Sequence, residues 1–172
     1  MVDTQTKPYF PHNWQTGYFI DTKGNLDPNS VTNASFASLA AFTTGVTPAP
    51  NDVNDTSIYF ADEDNASPEK TGTAYTWAVT GHVLVGDPAC DYIVGLYQSH
   101  ATGNAAKTLL KIVYPNGKTL ITRVVVQSIV VGGGNGNAKE TLTFTLAESG
   151  SGVLSDTPSD TPSNTPSNTP SV

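Results

Sequence analysis

The sequence predicts a mainly β fold, sandwich- or barrel-like, with one short α-helix at about residues 87–98 and one long protruding loop. Three observations carry this: apolar residues recur at period two, the runs that show it are rich in β-branched and aromatic residues, and one capped helical run interrupts them. The chain has 172 residues and a hydrophobic content of 37%, enough for one globular body. It divides into an N-terminal arm (1–13), a β domain (14–150) that contains the long loop (43–73), and a Thr-Pro-Ser repeat tail (151–172), disordered or extended.

The arm carries Pro8 and Pro11 and has little structure of its own, although Tyr9, Phe10 and Trp14 want a surface to cover. "GYFID" (17–21) reads as a strand, "TKGNLDPNS" as a turn cluster, and Ser30 to Phe36 as a second strand. Residues 43–73 are rich in Pro, Asn, Asp, Thr and Gly, the composition of a loop, interrupted by the β-prone run "SIYFA". Such a loop exceeds the ~12–15 residues that compact domains usually leave without structure, which points to a functional arm. Its Ile58, Tyr59 and Phe60 would stand in water on an isolated subunit, so they either fold back onto their own core or serve as subunit-interface residues that dock on a neighbour, the reading that the resemblance described below favours.

From Thr73 to Val85, Tyr75, Trp77, Val79, Val83 and Val85 alternate on one strand face, and Thr76, Thr80 and His82 fall on the other. Asp87-Pro88 then opens a helix, the carboxylate capping free N–H groups and the proline fitting the first helical position. "KTLLKIVYPNGKTLITRVVVQSIVV" reads as two strands joined at Asn-Gly, a pair that supplies positive φ angles to hairpin turns. After the connection "GGGNGNAKE", Leu142, Phe144 and Leu146 alternate with threonines, so one face is buried and the other hydroxyl-rich. The repeats from Ser155 place proline at every fourth residue and hold almost nothing apolar to bury.

Charge and motifs narrow the function. Eight Lys plus Arg against 15 Asp plus Glu give a formal net charge of −7, which opposes tight binding to phosphate backbones or anionic lipid. One cysteine makes no internal disulfide, and no apolar stretch approaches the ~18 residues of a membrane span. The opening residues lack the pattern of a signal peptide, so synthesis and retention in the cytoplasm are expected. Asn33, Asn54 and Asn65 fit the glycosylation pattern only as often as an Asn- and Thr-rich chain does by chance.

"GDPAC" invites a phosphate cradle or a reactive Cys90 thiolate. It has no Walker lysine, however, and Asp87 and Asp91 repel both anions, so scaffold is the better reading. "GGGNGN" joins two strands and meets no helix that would receive an anion. His12, His82 and His100 lack metal-ligand spacing, and the acidic run Asp52, Asp55, Asp62, Glu63 and Asp64 lacks the glycine and final carboxylate of an EF-hand. No nucleophile–base arrangement stands above background, so neither an enzyme nor a cofactor is expected.

Three segments in order, "FASLAAFTTGVTPAPNDVNDTSIYF", "TGTAYTWAVTGHVLVGDPACDYIVGLYQ" and "KTLLKIVYPNGKTLITRVVVQSIVVGGGNGNAKETLTFTLA", resemble the major tail tube protein of long flexible-tailed, siphovirus-type bacteriophages, over roughly residues 34 to 148. The chain departs from that pattern at Cys90, where a glutamine or similar residue is expected, and in its terminal repeats. The resemblance implies a tail-tube β fold and a structural virion protein whose homo-hexameric rings stack into a tube that conducts DNA from capsid to host. It also implies tape measure, terminator and distal tail proteins as partners, no membrane, and a place in the virion tail after synthesis in the bacterial host cytoplasm. Rings of a chain this acidic would present an acidic wall along which genomic DNA slides without specific binding. Two other readings compete. A cell-surface or carbohydrate-binding β-sandwich with a Thr-Pro-Ser stalk needs an export signal, and a small-molecule-binding barrel needs an interior cavity.

Overall fold

The computed structural model describes residues 8–58 and 68–156. Its strands are β1 (Gly17–Asp21), β2 (Phe36–Ser38), β3 (Thr43–Asp55), β4 (Glu69–His82), β5 (Lys107–Val113), β6 (Thr119–Val131), β7 (Thr141–Glu148) and β8 (Val153–Ser155), and one helix, α1 (Pro88–Gln98), lies between β4 and β5. All strand pairs are antiparallel, in a single open sheet of order β2-β1-β5-β6-β7-β4-β3, with β8 added to the start of β6. The fold class read from the sequence is the one observed, with the sheet open rather than closed into a barrel.

The core lies between one face of this sheet and α1. Ile20, Leu110, Ile112, Val124, Val126, Leu142, Phe144, Leu146, Trp77 and Val79 meet Ala89, Cys90, Ile93 and Leu96 of the helix, and Leu39 and Phe42 fill the corner before β3. Each fully buried aliphatic side chain contributes about 1.5–3 kcal/mol by removal from water. The helix begins as the sequence predicts: the Asp87 carboxylate accepts from the N–H groups of Ala89 (3.0 Å) and Cys90 (2.9 Å), with Pro88 at the first helical position. Gly86 has φ of 90°, a turn conformation that residues bearing a Cβ resist. The Cys90 sulfur accepts from the Leu84 N–H at 3.2 Å, and burial pushes the thiol above its ordinary range. "GDPAC" is therefore scaffold, and a thiol held protonated is a poor nucleophile.

The β5–β6 hairpin closes over Tyr114–Lys118, with the Gly117 N–H donating to the Tyr114 carbonyl at 3.0 Å and Gly117 at φ of 83°. Of the predicted Asn-Gly pair only the glycine takes a positive φ. Asn116 instead accepts the Lys118 N–H through its side chain at 3.1 Å.

Three expectations need correction. The strand expected at 30–36 is displaced to Phe36–Ser38, because the buried Asp21 carboxylate organises the segment before it into turns. That carboxylate accepts from the N–H groups of Lys23 (3.1 Å), Asn25 (2.8 Å) and Ser35 (2.7 Å) and from the Asn25 amide (2.8 Å). The long loop at 43–73 is mostly strand: β3 and the start of β4 form a hairpin paired from Thr43↔Gly81 to Asp55↔Glu69. Pro48 and Pro50 are compatible with this because β3 is the outermost strand, where a missing N–H can face away from the ladder. Lastly, the segment assigned to the tail begins with β8, whose Val153 and Leu154 pair with Ile121 and Leu120. The repeats beyond Asp156 lie outside the described residues.

Candidate functional site

Among the described residues no three His, Cys, Asp or Glu side chains gather as a metal site, and no helix is long and apolar enough to cross a membrane. An open hollow of about 500 Å³ lies where Trp14 and Phe19 approach the β5–β6 turn at Tyr114 and Pro115. It is apolar and holds no convergent polar groups. The chemistry of interest is on surfaces: an arm, two strand edges and a bare sheet face.

The arm is the far half of the β3–β4 hairpin. β4 pairs with β7 only from Thr76↔Ala147 to His82↔Thr141, so Glu69–Tyr75 pairs with β3 alone. Its root is held by Glu148, whose carboxylate accepts from the Tyr75 N–H and the Thr122 hydroxyl, both at 3.1 Å. Along the arm the Asp52 carboxylate meets Lys70 at 2.7 Å and the Thr73 hydroxyl at 2.9 Å, Thr71 donates to the Val53 carbonyl at 3.0 Å, and Asn51 donates to the Ala74 carbonyl at 2.9 Å. Hydrogen bonds from Lys70 first and Thr73 second hold the Asp52 carboxyl below its ordinary range, and those from Ser57 do the same for Asp55. A ribbon of two strands with no core behind it is marginal alone in water. Ile58 stands exposed just past β3, and Tyr59 and Phe60, the other two expected interface residues, lie outside the described residues. Of the N-terminal arm's aromatics, Phe10 is 97% exposed and Trp14 79%, while Tyr9, 56% exposed, lines the hollow beside Trp14.

The two edges belong to the four-stranded section β3-β4-β7-β6. At one end β3 has no neighbour beyond it among the described residues. At the other, β5 pairs with β6 only as far as Lys107↔Val125, so Val126–Val131 has β7 on one side and no strand on the other among the described residues. Because every pair in the section is antiparallel, the two edge strands run in opposite directions.

The face of this section turned away from α1 is set by register. Gly81, Val79 and Trp77 pair with Leu142, Phe144 and Leu146 on the core side. His82, Thr80, Ala78 and Thr76 therefore pair with Thr141, Thr143, Thr145 and Ala147 on the other. Gly45, Thr47 and Ala49 extend that face onto β3, and Val125 and Gln127 onto β6. No Asp, Glu, Lys or Arg stands among them, but the same face continues along β6 to Arg123 and across to Lys107 of β5, which pairs with Val125. Sequence reading found the hydroxyl-rich sides of β4 and β7 separately, but their union into one wall is a matter of pairing that periodicity does not report.

No family model and no curated protein matches this chain. The fold does match solved structures. A chain in the tail of an empty GTA particle refined with C6 helical symmetry superposes with a TM-score of 0.63 at 11% identity, over 85% of this chain and 99% of that one. A chain in the virion of a native gene transfer agent gives 0.59 at 12%, with the same coverages. One in the sheath–tube complex of an extracellular contractile injection system gives 0.53 at 8%, over 87% and 93%. At such identities the likeness is one of fold: this chain shares the fold of chains found in gene transfer agent particles and in a contractile injection system.

Proposed function

We propose that this chain is a non-enzymatic structural protein of a phage tail tube, of the long flexible type, whose homo-hexameric rings stack into a conduit for DNA passing from capsid to host cell. The observation that carries the reading is the pair of unlike, antiparallel edges at the two ends of one four-stranded section. Setting the β3 edge of one copy against the Val126–Val131 edge of the next continues the antiparallel alternation, and repeating a head-to-tail contact closes a ring when its rotation closes. Closure also removes both exposed edges, which otherwise invite indiscriminate pairing. Pro48 and Pro50 withhold N–H groups from that edge and restrict which strands it accepts.

The fold likeness to tail subunits supports the same reading, and the arm suits contact between rings, with Ile58, Tyr59 and Phe60 reaching a neighbouring subunit. On this reading tape measure, terminator and distal tail proteins meet the ends of the tube, and the chain is made in the host cytoplasm before it joins the virion. Native mass spectrometry and negative-stain imaging of the concentrated full chain test it. Hexamers, rings or hollow tubes are expected, and a strict monomer at every concentration overturns it.

A further inference from the structure

We infer that the apolar hollow beside the β5–β6 turn is a docking groove for the chain's own Thr-Pro-Ser repeats, which seat a proline ring against Trp14 and Tyr114 within the same subunit. The inference concerns the single subunit and stands independently of ring closure.

Position points to this occupant first. Ser155 of β8 pairs with Thr119, the first residue of β6, and because the two strands are antiparallel the chain leaves β8 heading for the β5–β6 turn. Asp156 lies there, its carboxylate 3.2 Å from the Lys118 ammonium. Pro115 and Gly117 of that same turn line the hollow, together with Val113 and Tyr114. Thr119 has Ser155 on one side and Val113 on the other, so the way from the tail to the hollow is two strand spacings, about 10 Å, which about three extended residues cover. Pro162, six residues beyond Asp156, reaches it with slack.

Chemistry agrees. Tyr9 and Trp14 of the N-terminal arm, Phe19 of β1 and Tyr114 bring four aromatic rings around the hollow, and Trp14 remains 79% exposed. Aromatic-lined grooves take proline-rich segments because the proline ring is apolar and its φ is already fixed, so little backbone entropy is lost on docking. The repeats place proline at 158, 162, 166 and 170, whereas residues 1–7, which also lead to the hollow, contain none. In a polyproline helix of three residues per turn, a spacing of four sets successive prolines about 120° apart, so the hollow takes one Thr-Pro unit at a time. The four copies are then alternative registers for one groove, which raises the docked population without improving any contact. Asp opens the first two repeats and Asn the last two, which keeps the partners of Lys118 at the start of the tail.

The two tryptophans provide the test, because Trp77 is 4% exposed and acrylamide quenching of fluorescence therefore reports on Trp14. In the dilute full-length chain a tail docked at least half of the time should make quenching about twofold less steep than in a chain truncated after Asp156. Replacing Pro158, Pro162, Pro166 and Pro170 together by alanine keeps the length and charge of the tail and should restore the steep quenching of the truncated chain. Trp14→Phe should abolish the difference among all three. Nuclear Overhauser contacts should join proline ring protons to those of Trp14 and Tyr114, and isotope-filtered spectra of mixed labelled and unlabelled copies should show none between chains. Equal quenching in the parent, truncated and four-alanine chains overturns the inference. So do contacts to Trp14 from residues 1–7 or from Tyr59 and Phe60 in place of the prolines, and proline contacts found only between chains overturn docking within the subunit. The measurements are made on single subunits, so a failure to form tubes removes the proposed function and leaves this inference to its own result.

Discussion

The helix-covered half of the molecule and the β3–β4 arm are both antiparallel sheet, yet they are held together by different physics. In the first, β5 lies between β1 and β6 with side chains buried on both faces, and α1 seals one side. In the second, Pro50–Asp55 and Glu69–Tyr75 satisfy their backbones and several side chains, but their residues are almost all exposed. Burial of apolar surface is the dominant stabilising term, so stability resides in the first region. The arm contributes hydrogen bonds of modest net worth and is free to serve contacts made outside the subunit.

The contrast can be broken first in the core. Ile93→Ala removes a fully buried side chain from the helix–sheet seam and should lower unfolding free energy by about 2–5 kcal/mol in urea titrations. A loss under about 0.5 kcal/mol would mean that α1 does not carry the fold. Next is Asp21→Ala, which strips an acceptor from the N–H groups of Lys23, Asn25 and Ser35 and should cost about 3 kcal/mol. Amide exchange should quicken most between residues 22 and 35.

In the arm the ranking reverses between stability and assembly. Replacing Tyr59 and Phe60 together by serine should leave unfolding free energy within about 0.5 kcal/mol of the parent while abolishing polymerisation. An unfolded variant would assign these residues to the core, and tubes that still form would show that the arm does not join rings.

The smallest effect is on pH. Asp52 and Asp55 have carboxyl pKa values lowered in the folded arm, so the unfolded chain binds their protons more readily. Their contribution is whole above the ordinary carboxylate value and is lost as pH falls through the lowered values of the arm. Chemical shifts of Thr73 and Ser57 should follow that acid transition without unfolding of β5 or β6, and Asp52→Asn should remove it at Thr73.

How much of this was legible in the sequence depended on what each segment buries. The α1 start, β4 and β7 were readable because Trp77, Val79, Leu142, Phe144 and Leu146 face one core at period two and Asp87 and Pro88 mark a helix end. The arm was not. Nothing in it alternates between core and solvent, and Pro48, Pro50, Asn51 and Asp52 have the composition of a loop, so its strands are specified by pairing alone. The displaced β2 depends on a carboxylate 14 residues from the N–H group it captures, a contact that no local window contains. The threonine-rich face was half visible as hydroxyls on β4 and β7, but its union into one surface depends on pairing across four strands, which no single run of sequence contains.

The unlike edges of the four-stranded section have a consequence for the population of species in solution. On the proposed closure any arc short of a ring still presents one β3 edge and one β6 edge, so adding a subunit removes no exposed edge from the growing end. Each contact covers one β3 edge and one β6 edge, but only the closing contact takes both from the same particle, and it forms where effective concentration far exceeds that of free subunits. Assembly should therefore be cooperative, passing from monomers to closed rings over a narrow range of concentration with few partial arcs between.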